Sequence, residues 1–137
     1  MSKTESPAVS QIVNAEIVRE YFGYWPDFHD AEITKVTFQA HPGYRASVTF
    51  VIAAFEMTRE VDERGHYILT KHCAIEIQFT GIQELTFDYF SHQNVIFELI
   101  FEEAGSNVEC RFVSSVGLDA SIVAEEVLVL SLTPTNG

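Results

Sequence analysis

Basic residues are scarce in this chain: 8 Lys and Arg stand against 20 Asp and Glu, leaving a formal net charge of −12. After Lys71 the only cation is Arg111, facing Glu76, Glu84, Asp88, Glu98, Glu102, Glu103, Glu109, Asp119, Glu125 and Glu126, so most of the negative charge lies in the second half. Such a field repels nucleic acid and anionic membrane and draws in a basic partner. Cysteine is nearly absent. Cys73 and Cys110 both fall in apolar strand-like runs, which excludes a disulfide framework or a thiolate metal spacing and makes each a small buried hydrophobe. No apolar run approaches about 18 residues, and "MSKTESPAVS" has no basic region followed by an apolar one. The expectation is a cytoplasmic protein that neither enters a membrane nor carries an export signal.

Other absences narrow the chemistry. The seven glycines are scattered and none opens a helix in a phosphate-cradling pattern, so no nucleotide site is expected. Ser91 and His92 are adjacent in "YFSHQN", but no glycine-framed nucleophile turn occurs, which leaves Ser91 a loop serine. Aromatics such as Phe50, Phe79, Phe87, Phe97 and Phe112 lack interleaved Lys and Arg and read as core, not as base-stacking platforms. No cofactor is expected.

What is present is enough for one folded domain. Of 137 residues, 47% are hydrophobic, ample for a core without staples. Residues 1 to 7 read as a flexible N-terminus, 8 to 133 as a single domain, and 134 to 137 as a short polar tail. From 8 to 22, apolar residues at Val9, Ile12, Val13, Ile17 and Tyr21 follow the three-and-four spacing of an amphipathic helix, stopped by Gly23 and Pro26. Thereafter the chain reads as strands. Tyr67, Leu69, Lys71, Cys73, Ile75, Ile77 and Phe79 alternate with mostly polar neighbours, the period of a half-buried strand. Further strands are expected over 33 to 40, 45 to 60, 84 to 90, 95 to 103, 108 to 115 and 124 to 133, with "VDERGH" joining an exposed hairpin and "AGSN" a tight turn. The expected class is α+β: an N-terminal helix packed on a curved, mostly antiparallel meander of about seven strands.

One stretch, "GYWPDFHDAEI" at 23 to 33, concentrates a histidine and three carboxylates between helix and first strand. In an extended segment Asp30 and Glu32 would point the same way, so that with His29, or with distant His92, they could hold a divalent ion and serve a small metal-dependent enzyme. No second half of a metal site appears elsewhere. The competing reading is a structural corner, in which Asp27 and Asp30 accept backbone N–H bonds while Trp25 and Phe28 fold over the end of the sheet. The corner is favoured, with no metal. A third reading, a scaffold or ligand-binding module, would use the concave side of the sheet.

The longer segment "YFGYWPDFHDAEITKVTF", 21 to 38, resembles the signature of the immunity protein 50 family of bacterial polymorphic toxin systems. Phe22, Gly23, Trp25, Pro26, Phe28, His29, Asp30, Ala31 and Glu32 stand at matching positions, with Ile33 in the aliphatic place. The resemblance implies a cytoplasmic binding protein, not an enzyme, that neutralises a cognate protein toxin by stoichiometric complex formation. A basic toxin would suit the acidic field. In that role the motif residues Trp25, Pro26, Phe28, His29, Asp30 and Glu32 are either the structural corner or a recognition site. Partner contact is expected at Glu56, Glu60, Asp62, Glu63, Glu98, Glu102 and Glu103, with Tyr89 as an aromatic anchor.

Overall fold

A computed structural model of the chain describes residues 6–136. A 3-10 turn at Pro7–Gln11 precedes helix α1, Ala15–Phe22. Six strands follow: β1 Glu32–His41, β2 Tyr44–Val61, β3 Tyr67–Asp88, β4 Val95–Ala104, β5 Asn107–Val116 and β6 Asp119–Pro134. Of the flexible N-terminus expected over 1 to 7, residues 1 to 5 lie outside the described residues, and so does Gly137 of the expected tail.

The helix and antiparallel sheet of the expected α+β class are present, with three differences. Among the described residues the strands number six, not seven, because the strands expected over 67 to 79 and 84 to 90 are one long β3. Gly81 lets it bend without ending: its φ is +66°, and the β3–β6 register shifts between Ile82 and Glu84. A Cβ at Gly81 would lie 2.3 Å from Glu125 Oε1, so glycine is needed both for the conformation and for the close approach. Phe90, expected in that strand, lies beyond it.

The second difference is connectivity. β3 pairs with β6 rather than with β4, and the sheet closes in the order β1-β2-β3-β6-β5-β4, so it is a barrel and not a meander. Closure removes the open edges that a meander leaves for aggregation. It also fills the concave side. Phe50 and Phe112 stack at 4.4 Å, Phe79 meets Phe50 at 5.7 Å and Phe112 at 6.3 Å, and Phe101 stacks on Phe79 at 6.5 Å. Each buried phenylalanine stabilises the fold by about 2 to 3 kcal/mol through burial, and favourable ring pairs add about 1 kcal/mol.

The third difference is in the helix expected over 8 to 22, which is interrupted at Val13. β5 pairs with β6 only as far as Val108↔Ala124, which leaves the next stretch of β6 short of a partner. Val13 supplies one: its N–H donates to Val127 O at 2.8 Å and its carbonyl accepts from Val129 N at 2.9 Å. Asn14 then turns left-handed (φ 64°) and α1 starts. The helix buries Ala15, Val18 and Phe22 in the core and ends at Gly23, φ 88°, whose N–H returns to Arg19 O at 2.7 Å. Lys71 Nζ reaches Phe22 O at 3.2 Å, capping the same helix end.

The two free cysteines, Cys73 and Cys110, are buried. Burial pushes the Cys73 thiol up to about 11 and raises that of Cys110 as well, so both stay protonated and unreactive near neutral pH.

Candidate functional site

β1 begins at Glu32, in register with Ala53 of β2 and Val95 of β4. Beyond that point β2 and β4 both run on in the same direction, and the segment 24 to 31 occupies the place β1 leaves between them. Tyr24 Oη donates to Glu56 on β2 at 2.9 Å, while Trp25 packs edge-on against Phe101 of β4 at 5.9 Å. Burial and the Glu56 carboxylate together push the Tyr24 hydroxyl up to about 12.

The tip of this segment closes the barrel. Asp27 Oδ1 accepts from His29 N at 3.0 Å, an Asx-type turn that lets the chain reverse. Phe28 and Asp30 are both left-handed, at φ 61° and 68°, a conformation uncommon for non-glycine residues and most costly for a bulky one. The reversal puts Phe28, 3% exposed, into the core against Trp25 at 5.6 Å. It also aims three backbone bonds at the start of β4: Asp30 N to Ile96 O, Ile96 N to Ala31 O and Ile33 N to Asn94 O, each 2.8 Å.

His29 and Asp30 are brought together, with Nε2 3.6 Å from Oδ1, but Glu32 belongs to the strand and pairs with Val95. The extended geometry that would align Asp30 with Glu32 is broken by the left-handed Asp30. His29 Nδ1 lies 2.9 Å from Phe97 O, and since a carbonyl only accepts, that nitrogen carries the hydrogen. The ring also meets Phe97 edge-on at 5.4 Å. Among the described residues, no three His, Cys, Asp or Glu side chains come together as a metal site.

Beside the segment lies a cleft of about 520 Å³, lined by Trp25, Asp27 and His29 on one wall and Phe97, Glu98 and Phe101 on the other. Pro26, the motif's remaining residue, is buried and also lines the cleft. Among its described lining residues there is no Lys or Arg.

The acidic candidates divide by what they already bind. Glu56 accepts from Tyr24 and sits 3.7 Å from Lys71 Nζ. Asp62 builds the hairpin turn, its Oδ1 accepting from Arg64 N at 2.9 Å and His66 N at 3.0 Å. Glu102 pairs with Arg111. Glu60, Glu63, Glu98 and Glu103 are exposed. The topology brings both groups to one end of the barrel, because the β2–β3 hairpin and the second half of β4 extend the same way. Tyr89, 77% exposed, lies at the opposite end. There it neighbours an aromatic group not recognised from the sequence, where Phe87 and Phe97 read as core: Phe97 is exposed, and half-buried Phe87 meets Phe38 at 5.0 Å and Phe90 at 6.0 Å. The signal available was the aromatic pair in "DYFSHQN", directly before a polar loop.

The family model for immunity protein 50 matches residues 14–135, nearly the whole of this fold. The chain belongs to the immunity protein 50 family. As an immunity protein 50 member it carries the motif Phe22 to Ile33 inside the matched span, at the seam that closes the barrel. No curated protein and no solved structure matches it. No helix among the described residues of this immunity protein is long and apolar enough to cross a membrane.

Proposed function

We propose that this immunity protein neutralises a basic protein toxin by forming a stoichiometric complex with it in the cytoplasm, and that it performs no catalysis. Family membership over residues 14–135 carries the reading. The charge supports it: at −12, the chain steers a basic toxin domain toward itself and raises the encounter rate by about one to three orders of magnitude. The exposed carboxylates Glu60, Glu63, Glu98 and Glu103 provide the field at one end of the barrel. His29, Asp30 and Glu32 act within the fold, because the backbone around them is taken up in joining β1 to β4.

The test is capture of a partner from native lysate by the tagged chain, washed at low and then high salt, with the retained proteins weighed and identified. The expected result is one basic chain carrying a toxin domain, held one to one and weakened by salt. Retention of no stoichiometric partner, with candidate toxins shown to be expressed, would remove the proposal.

A further inference from the structure

The end of the barrel away from the acidic hairpin displays aromatic rings on a rigid support. β3 ends at Asp88, and Tyr89 follows in the left-handed region at φ 67°. Tyr89 is 77% exposed, Phe90 48% and Phe38 53%, with Phe87 between the two phenylalanines. A chain leaving a strand with two large apolar rings in water is not explained by the core, since Phe50, Phe79, Phe101 and Phe112 already fill it.

The loop that presents these rings is pinned. Asn94, 3% exposed, accepts at Oδ1 from Ser91 N at 2.9 Å and from Leu118 N at 3.1 Å, and its Nδ2 donates to Ser91 O at 2.8 Å. Gly117 lies against the loop so closely that a Cβ there would sit 2.3 Å from Gln93 O. A pinned loop loses little further freedom on binding, so rings held this way keep more of their contact energy. The surroundings select the partner. Residues 84 to 94 and 112 to 119 contain Glu84, Asp88 and Asp119, all exposed, and no Lys or Arg. The cations nearest Phe38 in sequence are Lys35 on β1 and Arg45 at the start of β2.

We infer that Tyr89 and Phe90, backed by Phe38 and Phe87, form the anchoring contact for a basic protein partner, with Glu84 and Asp88 as its charged rim. This inference rests on the immunity reading and gives it a contact surface distinct from the acidic hairpin and β4. An aromatic centre with a polar rim is the arrangement in which a few side chains dominate an interface. A second copy of the chain is the poorer occupant, because two surfaces of the same sign would meet in a molecule of net charge −12.

The experiment uses the toxin domain purified from the complex that the tagged wild-type chain retains. Its affinity is measured for wild type, for Tyr89→Asn with Phe90→Ala, and for Tyr89→Asn alone. Asparagine tolerates the left-handed backbone, so the loop keeps its shape while the ring is lost. The expected result is a dissociation constant raised at least about 30-fold in the double variant and by a smaller factor in the single one, with thermal midpoints close to wild type. Wild-type binding with both variants within about threefold of it overturns the anchor and leaves the immunity reading standing. Failure of wild type itself to bind any toxin domain overturns both. A wild-type dimer that Tyr89→Asn converts to monomer would assign the face to a second copy and overturn the anchor.

Discussion

Two short segments of this chain have nearly the same ingredients and opposite fates. "YWPDFHDA" and "DYFSHQN" each combine aromatics, a histidine and an acid, and each contains an aromatic residue in the left-handed region, Phe28 in one and Tyr89 in the other. In the first the reversal drives Phe28 into the core and ties the flanking backbone to β4. In the second the backbone is tied down by Asn94, and the ring is left in water. Residue type alone does not separate a ring that is buried from one left in water. The separation comes from which neighbouring strand has unpaired backbone to offer: β4 has it at Ile96, beside the first segment, whereas the second follows a β3 already paired with β6 through Asp88.

Removing one ring from each segment should separate the two most strongly. Phe28→Ala should cost about 3 to 5 kcal/mol in urea unfolding, as expected for a buried phenylalanine. Tyr89→Ala should stay within about 0.5 kcal/mol. A comparable loss at both positions would show that Tyr89 is structural too. Next in size is Asn94→Ala, which leaves two backbone donors, Ser91 N and Leu118 N, without their partner. A loss of about 2 to 3 kcal/mol is expected, together with faster amide exchange at those two residues.

At the corner, Asp30 separates charge from backbone. Asp30→Asn keeps a residue that tolerates φ 68° and should change stability by less than about 0.5 kcal/mol, whereas Asp30→Ala should cost about 1 kcal/mol or more. A larger loss for asparagine than for alanine would show that the Asp30 carboxylate, not its backbone conformation, stabilises the turn. The smallest effect concerns Tyr24, whose hydroxyl is raised from 10.0 to about 12. Its neutral form is favoured by folding, so the associated stability is complete below pH 10 and is lost as pH rises through about 12. The fall of stability over that window should be shallower in Tyr24→Phe than in wild type, read from the thermal midpoint at each pH.

Much of the fold was legible in the sequence wherever burial is one-sided. The alternation over 67 to 79 marks a strand because one face meets the core from Cys73 to Phe79, although Tyr67, Leu69 and Lys71 of the same pattern are exposed, and Gly23 marks the helix end because its φ of 88° suits glycine. What was not legible depends on distant partners. Gly81 reads the same in a turn as in a bulge until Glu125 is seen to cross beside it. Val13 has helical spacing, yet its backbone is claimed by Val127 and Val129, more than a hundred residues away. Barrel closure rests on bonds from Asp30 and Ala31 to Ile96, and a left-handed Phe28 beside them is not something a phenylalanine announces. At the candidate site the motif was visible as a cluster. That Asp30 and Glu32 part company was not, because the turn separating them is set by Asp27 and the β4 backbone.

The motif segment joins β1 to β4, and the proposed toxin contact lies elsewhere on the chain. The most direct test of this division is growth of cells expressing the captured toxin domain together with wild type, Asp30→Asn, or Tyr89→Asn with Phe90→Ala, at matched protein levels. Full protection is expected from wild type and from Asp30→Asn, and loss of protection from the loop variant. Protection by the loop variant together with its loss in a folded Asp30→Asn protein would contradict it and place recognition at the corner.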